Sequence, residues 1–222
     1  MTPIIKICGL SDAVSLEAAL EAAADMVGFV FFPKSPRNVG LEAARRLGER
    51  ARGRARIAAL SVDADDAELD AIVHALDPDV LQLHGNESPA RVEAIRRRYG
   101  RAVMKAVGVA AGVDFAAAAP YEEVADYLLI DAKPPRDALL PGGNGRAFDW
   151  TLAADFRPAT PWFLSGGLDP MNIAEAIMRT HVRAVDVSSG VESAPGVKDE
   201  AKIAAFVAAA RAAFARISEG VG

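Results

Sequence analysis

Residues 162–190 read WFLSGGLDPMNIAEAIMRTHVRAVDVSSG, and this stretch decides the fold. An apolar run, Trp162–Ser165, breaks at paired glycines. Asp169 then offers a cap residue and Pro170 a proline suited to the first helical position. A helix candidate leads into a second short apolar run, Ala184–Ser188. Strand, helix and strand in this order imply parallel strands joined by a right-handed crossover. Both runs end in small polar residues, SGG and SSG, where the chain leaves the sheet.

Working outward, the same alternation fills the chain. Further predicted strands are Pro3–Cys8, Met26–Phe32, Ala55–Val62, Asp79–His84, Ala102–Val107 and Tyr127–Asp131, most of them bounded by Gly, Pro or Asp. Between them lie Ala/Leu/Arg/Glu segments at helical spacing. Ser11 or Asp12 can cap the first, VSLEAALEAA. The last, from Asp199 to about Ile217, sets Ile203, Phe206, Val207 and Phe214 on one apolar stripe and reads as a packing helix. An open doubly wound sheet uses about five to seven strands. Eight strand–helix units with no linker instead match a single α/β domain, residues 1–222, folded as a closed (βα)8 TIM barrel.

Composition sets the outer limits. With 51% hydrophobic and 25% charged residues, the chain is globular rather than disordered or collagen-like. A net charge of −5 lacks the basic field of a nucleic-acid or anionic-membrane binder. The short run Arg96, Arg97 and Arg98 reads as a solvated helix face. One cysteine forms no internal disulfide and favours a reducing compartment. The N-terminus MTPIIKICGL lacks the basic and long apolar parts of a signal peptide, and no run of about 18 apolar residues could span a bilayer. The expectation is a soluble cytoplasmic protein, monomeric or homodimeric, with no nucleic-acid or membrane partner.

Barrel chemistry gathers where strands end. Polar residues crowd those ends here: Cys8-Gly9, Pro33 to Arg37, Gln82-Leu83-His84-Gly85, Asp131, Ser165-Gly166-Gly167 and Asp186-Val187-Ser188-Ser189-Gly190. Most strand starts are plain. The adjacent loops SGGLDP and SSGVE follow strands seven and eight, the frequent phosphate position, and glycine turns expose backbone N–H groups to anions. Gly166 and Gly167 read either as a plain tight turn or as part of an anion site, and two such loops at neighbouring strand ends favour a phosphorylated ligand. The long loop Ala132–Phe148 contains PGGNGR and reads as a lid or a plain surface loop, with no Walker lysine. Cys8 is either a small core hydrophobe or a thiolate in waiting. Asp131 is either a turn cap or a half-buried acid. His74, His84 and His181 lack metal-ligand spacing, and no serine sits in a nucleophile elbow.

KICGL, GFVFFPKSPR, LQLHGNE, LLIDAKPP with PGGNGRAFDW, LSGGLDP and AVDVSSGVESAPGVKD, in this order, resemble the phosphoribosylanthranilate isomerase family of tryptophan biosynthesis. The resemblance runs from about Lys6 to Asp199. It implies a cofactor-free, metal-free barrel acting on a small phosphorylated aminosugar. The implied reaction is the Amadori rearrangement of N-(5-phosphoribosyl)anthranilate to 1-(2-carboxyphenylamino)-1-deoxyribulose 5-phosphate. It makes Cys8 the general base and Asp131 the general acid, with Arg37 near the anthranilate carboxylate. Substrate contacts are expected from Gln82, His84, Gly142, Gly143, Ser165, Gly166, Gly167, Asp186, Ser188, Ser189 and Gly190. Lys6 shares the strand face of Cys8 and is expected to help stabilise its thiolate. The loop GGNG departs from the commoner GG(T/S)G. Strand one ends in cysteine, whereas related histidine-pathway barrels use paired aspartates, which favours the tryptophan-pathway substrate. A phosphosugar epimerase or thiamine-phosphate synthase would be expected to carry metal-binding His/Asp sets or basic diphosphate-binding residues. A purely binding barrel needs neither Cys8 nor Asp131.

Overall fold

The computed structural model describes residues 2–133 and 149–219. Eight parallel strands close into a barrel in chain order: β1 (Ile4–Cys8), β2 (Met26–Phe31), β3 (Arg56–Ser61), β4 (Val80–Leu83), β5 (Ala102–Val109), β6 (Tyr127–Ala132), β7 (Trp162–Leu164) and β8 (Ala184–Val187). Closure sets Lys6 opposite Met26 on one side and Asp186 on the other. The strands are those expected, with ends shifted by a residue or two. His84, Ser165 and Ser188 therefore stand just past the strands that aim them.

Among the described residues six α-helices pack outside: α1 (Ala13–Glu21), α2 (Leu41–Ala51), α3 (Asp66–Leu76), α4 (Pro89–Tyr99), α5 (Ile173–Thr180) and α6 (Glu200–Glu219). The crossover after β5 is instead a 3-10 stretch, Gly112–Tyr121, and a short 3-10 turn, Trp150–Ala153, precedes β7. Pro120 lies inside the former and removes a helical N–H, so an alanine run that favours a helix does not complete one. Asp12, not Ser11, caps α1 by accepting from Ser15 N at 2.8 Å. α5 begins later than the Asp169-Pro170 pair suggests. The Asp169 carboxylate accepts from Met171 N and Asn172 N at 2.7 and 3.0 Å, holding a separate turn before the helix.

Alternation along the strands divides the core. Ile5 and Ile7 belong to the large cluster between barrel and helices. A second cluster of Met26, Ala58, Val80, Met104, Ala106, Leu129, Phe163 and Ala184 fills the barrel interior, with Ile4 and Tyr127 against it. Two residues further along the same strand faces stand Lys6, Gln82, Asp131, Ser165 and Asp186, all buried. The apolar cluster is thus the floor of a polar mouth.

The strand starts are less plain than the sequence implied. Asp25, Asp79 and Asp126 each immediately precede an even-numbered strand. They accept from Ile5 N, Ile57 N and Val103 N of the strand before, at 2.7, 2.7 and 2.8 Å. Each satisfies an N–H at the barrel's lower rim. Among the described residues, no helix is long and apolar enough to cross a membrane.

Candidate active site

One wall of the mouth is built on β1 and β8. Cys8 ends β1 and is 3% exposed. Lys6 is wholly buried, and its Nζ donates to Asp186 Oδ1 at 2.7 Å. Ser165 Oγ donates to the other Asp186 oxygen at 3.4 Å. Burial pulls the Lys6 ammonium down, but Asp186 and Cys8 together hold it above the ordinary lysine value. Burial pushes the Cys8 thiol up; the Lys6 charge opposes this and Asp186 reinforces it, with a net rise. Lys6 therefore acts in the direction expected from the sequence, yet burial outweighs it and the resting group is a thiol.

The facing wall is built on β4 and β6. Asp131 is 5% exposed. Its Oδ1 accepts from Ala132 N at 2.8 Å, and its Oδ2 lies 3.3 Å from His84 Nε2. Gln82 Nε2 lies 3.2 Å from His84 Nδ1. Gln82 thus meets one nitrogen of His84, whose other nitrogen faces Asp131. Gly166 follows β7 with φ +83, and a Cβ there would lie 2.5 Å from Ala132 N and 3.1 Å from Asp131 Oδ1. Only glycine lets this turn close so tightly on the acid.

Arg37, from the loop after β2, is buried and grips Glu192 through Nε and Nη2 at 2.7 and 2.8 Å. Glu192 also accepts from Lys198 Nζ at 2.8 Å, and Lys198 donates to Ser188 O and Oγ at 2.9 and 3.2 Å. Burial pushes Glu192 up, but Arg37 and Lys198 more than offset it and hold the carboxyl below its usual range. Sequence reasoning missed Glu192 and Lys198. They sit opposite each other on a small antiparallel hairpin, β9 (Glu192–Ala194) and β10 (Val197–Lys198), within the quoted GVESAPGVKD. Opposite charges flanking a Pro-Gly turn were the available signal.

The loops after β7 and β8 touch. Gly190 packs so closely on the Leu168 carbonyl that a Cβ would collide with it. Ser165, Gly166 and Gly167 thereby come beside Ser188, Ser189 and Gly190. Gly142 and Gly143, and nearly all of the loop read as a lid, lie outside the described residues. Among the described residues, no group of three or more His, Cys, Asp or Glu side chains could hold a metal ion.

A closed parallel barrel whose mouth carries a buried thiol, a buried carboxylate and two apposed glycine loops has the architecture of a (βα)8-barrel enzyme. Residues 5–209 match the family model of N-(5'-phosphoribosyl)anthranilate (PRA) isomerase. The chain belongs to that family, the isomerases of tryptophan biosynthesis. It is 55% identical over 212 residues to N-(5'-phosphoribosyl)anthranilate isomerase of Rhodopseudomonas palustris strain HaA2, covering 96% of this chain and 97% of that one. To the enzyme of Azorhizobium caulinodans it is 58% identical over 211 residues, covering 95% and 92%. Phosphoribosyl anthranilate isomerase from Thermotoga maritima superposes with a TM-score of 0.85 at 35% identity, covering 96% of this chain and 100% of that one. A structure of the isomerase in complex with reduced 1-(o-carboxyphenylamino)-1-deoxyribulose 5-phosphate superposes at 0.80 with 33% identity, covering 96% and 100%.

Proposed function

We propose that residues 1–222 act as a single domain that performs the Amadori rearrangement of N-(5-phosphoribosyl)anthranilate, with Asp131 as general acid and Cys8 as general base. The observation that carries this reading is their placement. Both stand at the barrel mouth, on strands β1 and β6, three steps apart the short way round the ring. A sugar bound between them meets an acid and a base from different sides.

Asp131 gives its proton to the furanose ring oxygen. The C1–O bond breaks with its electron pair going to that oxygen, while the anilino nitrogen lone pair forms C1=N⁺. The cationic imine acidifies the C2 hydrogen, which the Cys8 thiolate removes. The resulting enolamine loses its O2 proton and gains one at C1, giving the aminoketose. Substrate and product are isomers, so no electrons are gained or lost and no cofactor is required.

Charge supports the orientation of the substrate. Arg37, Lys198 and Glu192 sum to +1 at the wall beside the thiol, a fitting environment for the anthranilate carboxylate against Arg37. The phosphate is assigned to Ser165, Gly166, Gly167, Ser188, Ser189 and Gly190, where backbone N–H groups of glycine turns favour an anion. The substrate is of the same chemical kind as the ligand bound by the 33%-identical isomerase.

The test follows the fluorescence of phosphoribosylanthranilate generated in situ, with wild-type, Cys8→Ala and Asp131→Asn proteins. Each variant should lose about 10²–10⁴-fold in kcat, the range of a general acid or base. No loss of fluorescence with the wild type overturns the function. Activity retained in Cys8→Ala overturns the base and leaves the function standing.

A further inference from the structure

His84 is held from both sides. Its Nε2 faces Asp131 Oδ2 at 3.3 Å, and its Nδ1 faces Gln82 Nε2 at 3.2 Å. Gln82 has no exposed surface, and its Oε1 is a buried atom with no hydrogen-bond partner. A buried acceptor left unpaired costs about 1–3 kcal/mol, so an apolar side chain of this length would pack here more cheaply. The amide must do something that packing does not require.

The orientation of the amide follows from counting its hydrogens. With NH2 toward His84, one acceptor is unmet. Turned over, Oε1 would face the ring and the buried NH2 would lose its bond to the ring nitrogen. Orphaned donors are rarer than under-satisfied acceptors, so the first orientation stands. Nδ1 is then an acceptor, and the neutral ring carries its proton on Nε2, the nitrogen nearer Asp131. In this state His84 has no basic nitrogen left for the proton of Asp131. Nε2 is already protonated, and Nδ1 is occupied by the amide.

We propose that Gln82 is a positioning residue that fixes the Nε2–H tautomer of His84 and so keeps the catalytic proton on the carboxyl of Asp131 rather than on the imidazole. This rests on the reading of Asp131 as general acid and deepens it. Ala132 N donates to one carboxyl oxygen at 2.8 Å, and the His84 ring faces the other across 3.3 Å.

The experiment is ¹⁵N NMR of the histidine rings in the full chain at neutral pH, paired with steady-state kinetics. There are only 3 histidines, and His84→Asn assigns the signals of interest. Wild type should show His84 protonated at Nε2 and bare at Nδ1. Gln82→Met should give signals averaged over both tautomers and a kcat lower by roughly tenfold or more, with KM within about twofold. Gln82→Glu presents only acceptors while ionised and should move a proton onto Nδ1, again with a fall in kcat. A wild-type ring already protonated at Nδ1 overturns the proposal without any variant. So does Gln82→Met with an unchanged tautomer or unchanged kcat, or with a raised KM alone, which would make Gln82 an ordinary substrate contact. Full activity in Asp131→Asn would instead overturn the acid assignment, while the tautomer reading would still report on Gln82.

Discussion

Replacing Lys6 by methionine tests whether the buried charges beside the thiol work as one unit. Lys6 is fully enclosed and bonded to Asp186 at 2.7 Å. Without the ammonium, Asp186 keeps a hydroxyl hydrogen bond from Ser165 at 3.4 Å but faces no lysine charge. Breaking one side of such a buried pair costs about 3–5 kcal/mol. That is a fifth or more of a typical total stability of about 5–15 kcal/mol. With a urea slope of about 2–3 kcal/mol/M, the unfolding midpoint should fall by about 1–2.5 M. In Lys6→Met/Asp186→Leu no lone charge remains, and most of the loss should return. The same proteins report on Cys8, which is the only cysteine in the chain and can be alkylated with iodoacetamide. Burial already holds this thiol up, and removing the Lys6 charge takes away its main opposing influence, so alkylation should shift to higher pH. The double variant also loses the Asp186 charge and should shift part of the way back. The reasoning fails if the Lys6→Met midpoint stays within about 0.3 M of wild type, or if the double variant is as unstable as the single.

Three further outcomes follow from the geometry. Because the Cys8 thiol lies above its ordinary value and must ionise to act, kcat/KM should climb with pH through neutrality; a plateau already reached below about pH 7 would show that another group limits the rate. Glu192→Gln leaves Arg37 and Lys198 without the carboxylate they share, so urea unfolding should register a loss of about 2–4 kcal/mol and progress curves a raised KM. Asp126→Ala removes the acceptor for Val103 N and the partner of Arg96 at the far rim, and should lower stability by about 1–2 kcal/mol with kcat intact.

Which parts were legible in the sequence depends on how far apart the interacting residues lie. Strand runs announce themselves through local alternation and glycine or aspartate boundaries, so all eight strands and the polar mouth were readable. The arginine run at 96–98 was readable too. Arg96, Arg97 and Arg98 are 45%, 72% and 47% exposed, and each meets an acidic partner on the surface. The crossover after β5 departs from the eight strand–helix units expected: it is a 3-10 stretch with a proline inside, and its alanines do not carry it into an α-helix. The Arg37–Glu192 grip joins positions 155 apart, and only barrel closure with a folded-back hairpin brings them together. Gln82 and His84 stand two apart on one strand face, a spacing that says they are neighbours. That they end on Asp131 depends on how β4 and β6 stand around the barrel, which no local pattern encodes.

The two walls of the mouth handle charge differently, and this bears on why a thiol suits position 8. In each turnover of the proposed scheme one proton leaves the acid wall and one arrives at the base wall. On the base wall, Lys6 and Asp186 are fixed charges that cancel, both buried and 2.7 Å apart. A thiol is neutral at rest and leaves that balance intact. A carboxylate in the same place would put two anions against one ammonium with little water to screen them, and like charges at such a site force one group to stay protonated. A carboxyl competing with Asp186 for Lys6 would also loosen the pair that holds β8 to β1. On the acid wall Asp131 accepts from a backbone N–H and faces an imidazole whose far nitrogen meets the Gln82 amide, and in the proposed neutral tautomer none of these carries a formal charge. They orient the carboxyl without fixing a countercharge beside it, which lets the proton come and go. Balanced fixed charges around the base and uncharged neighbours around the acid are therefore the two environments between which the proposed scheme moves its protons.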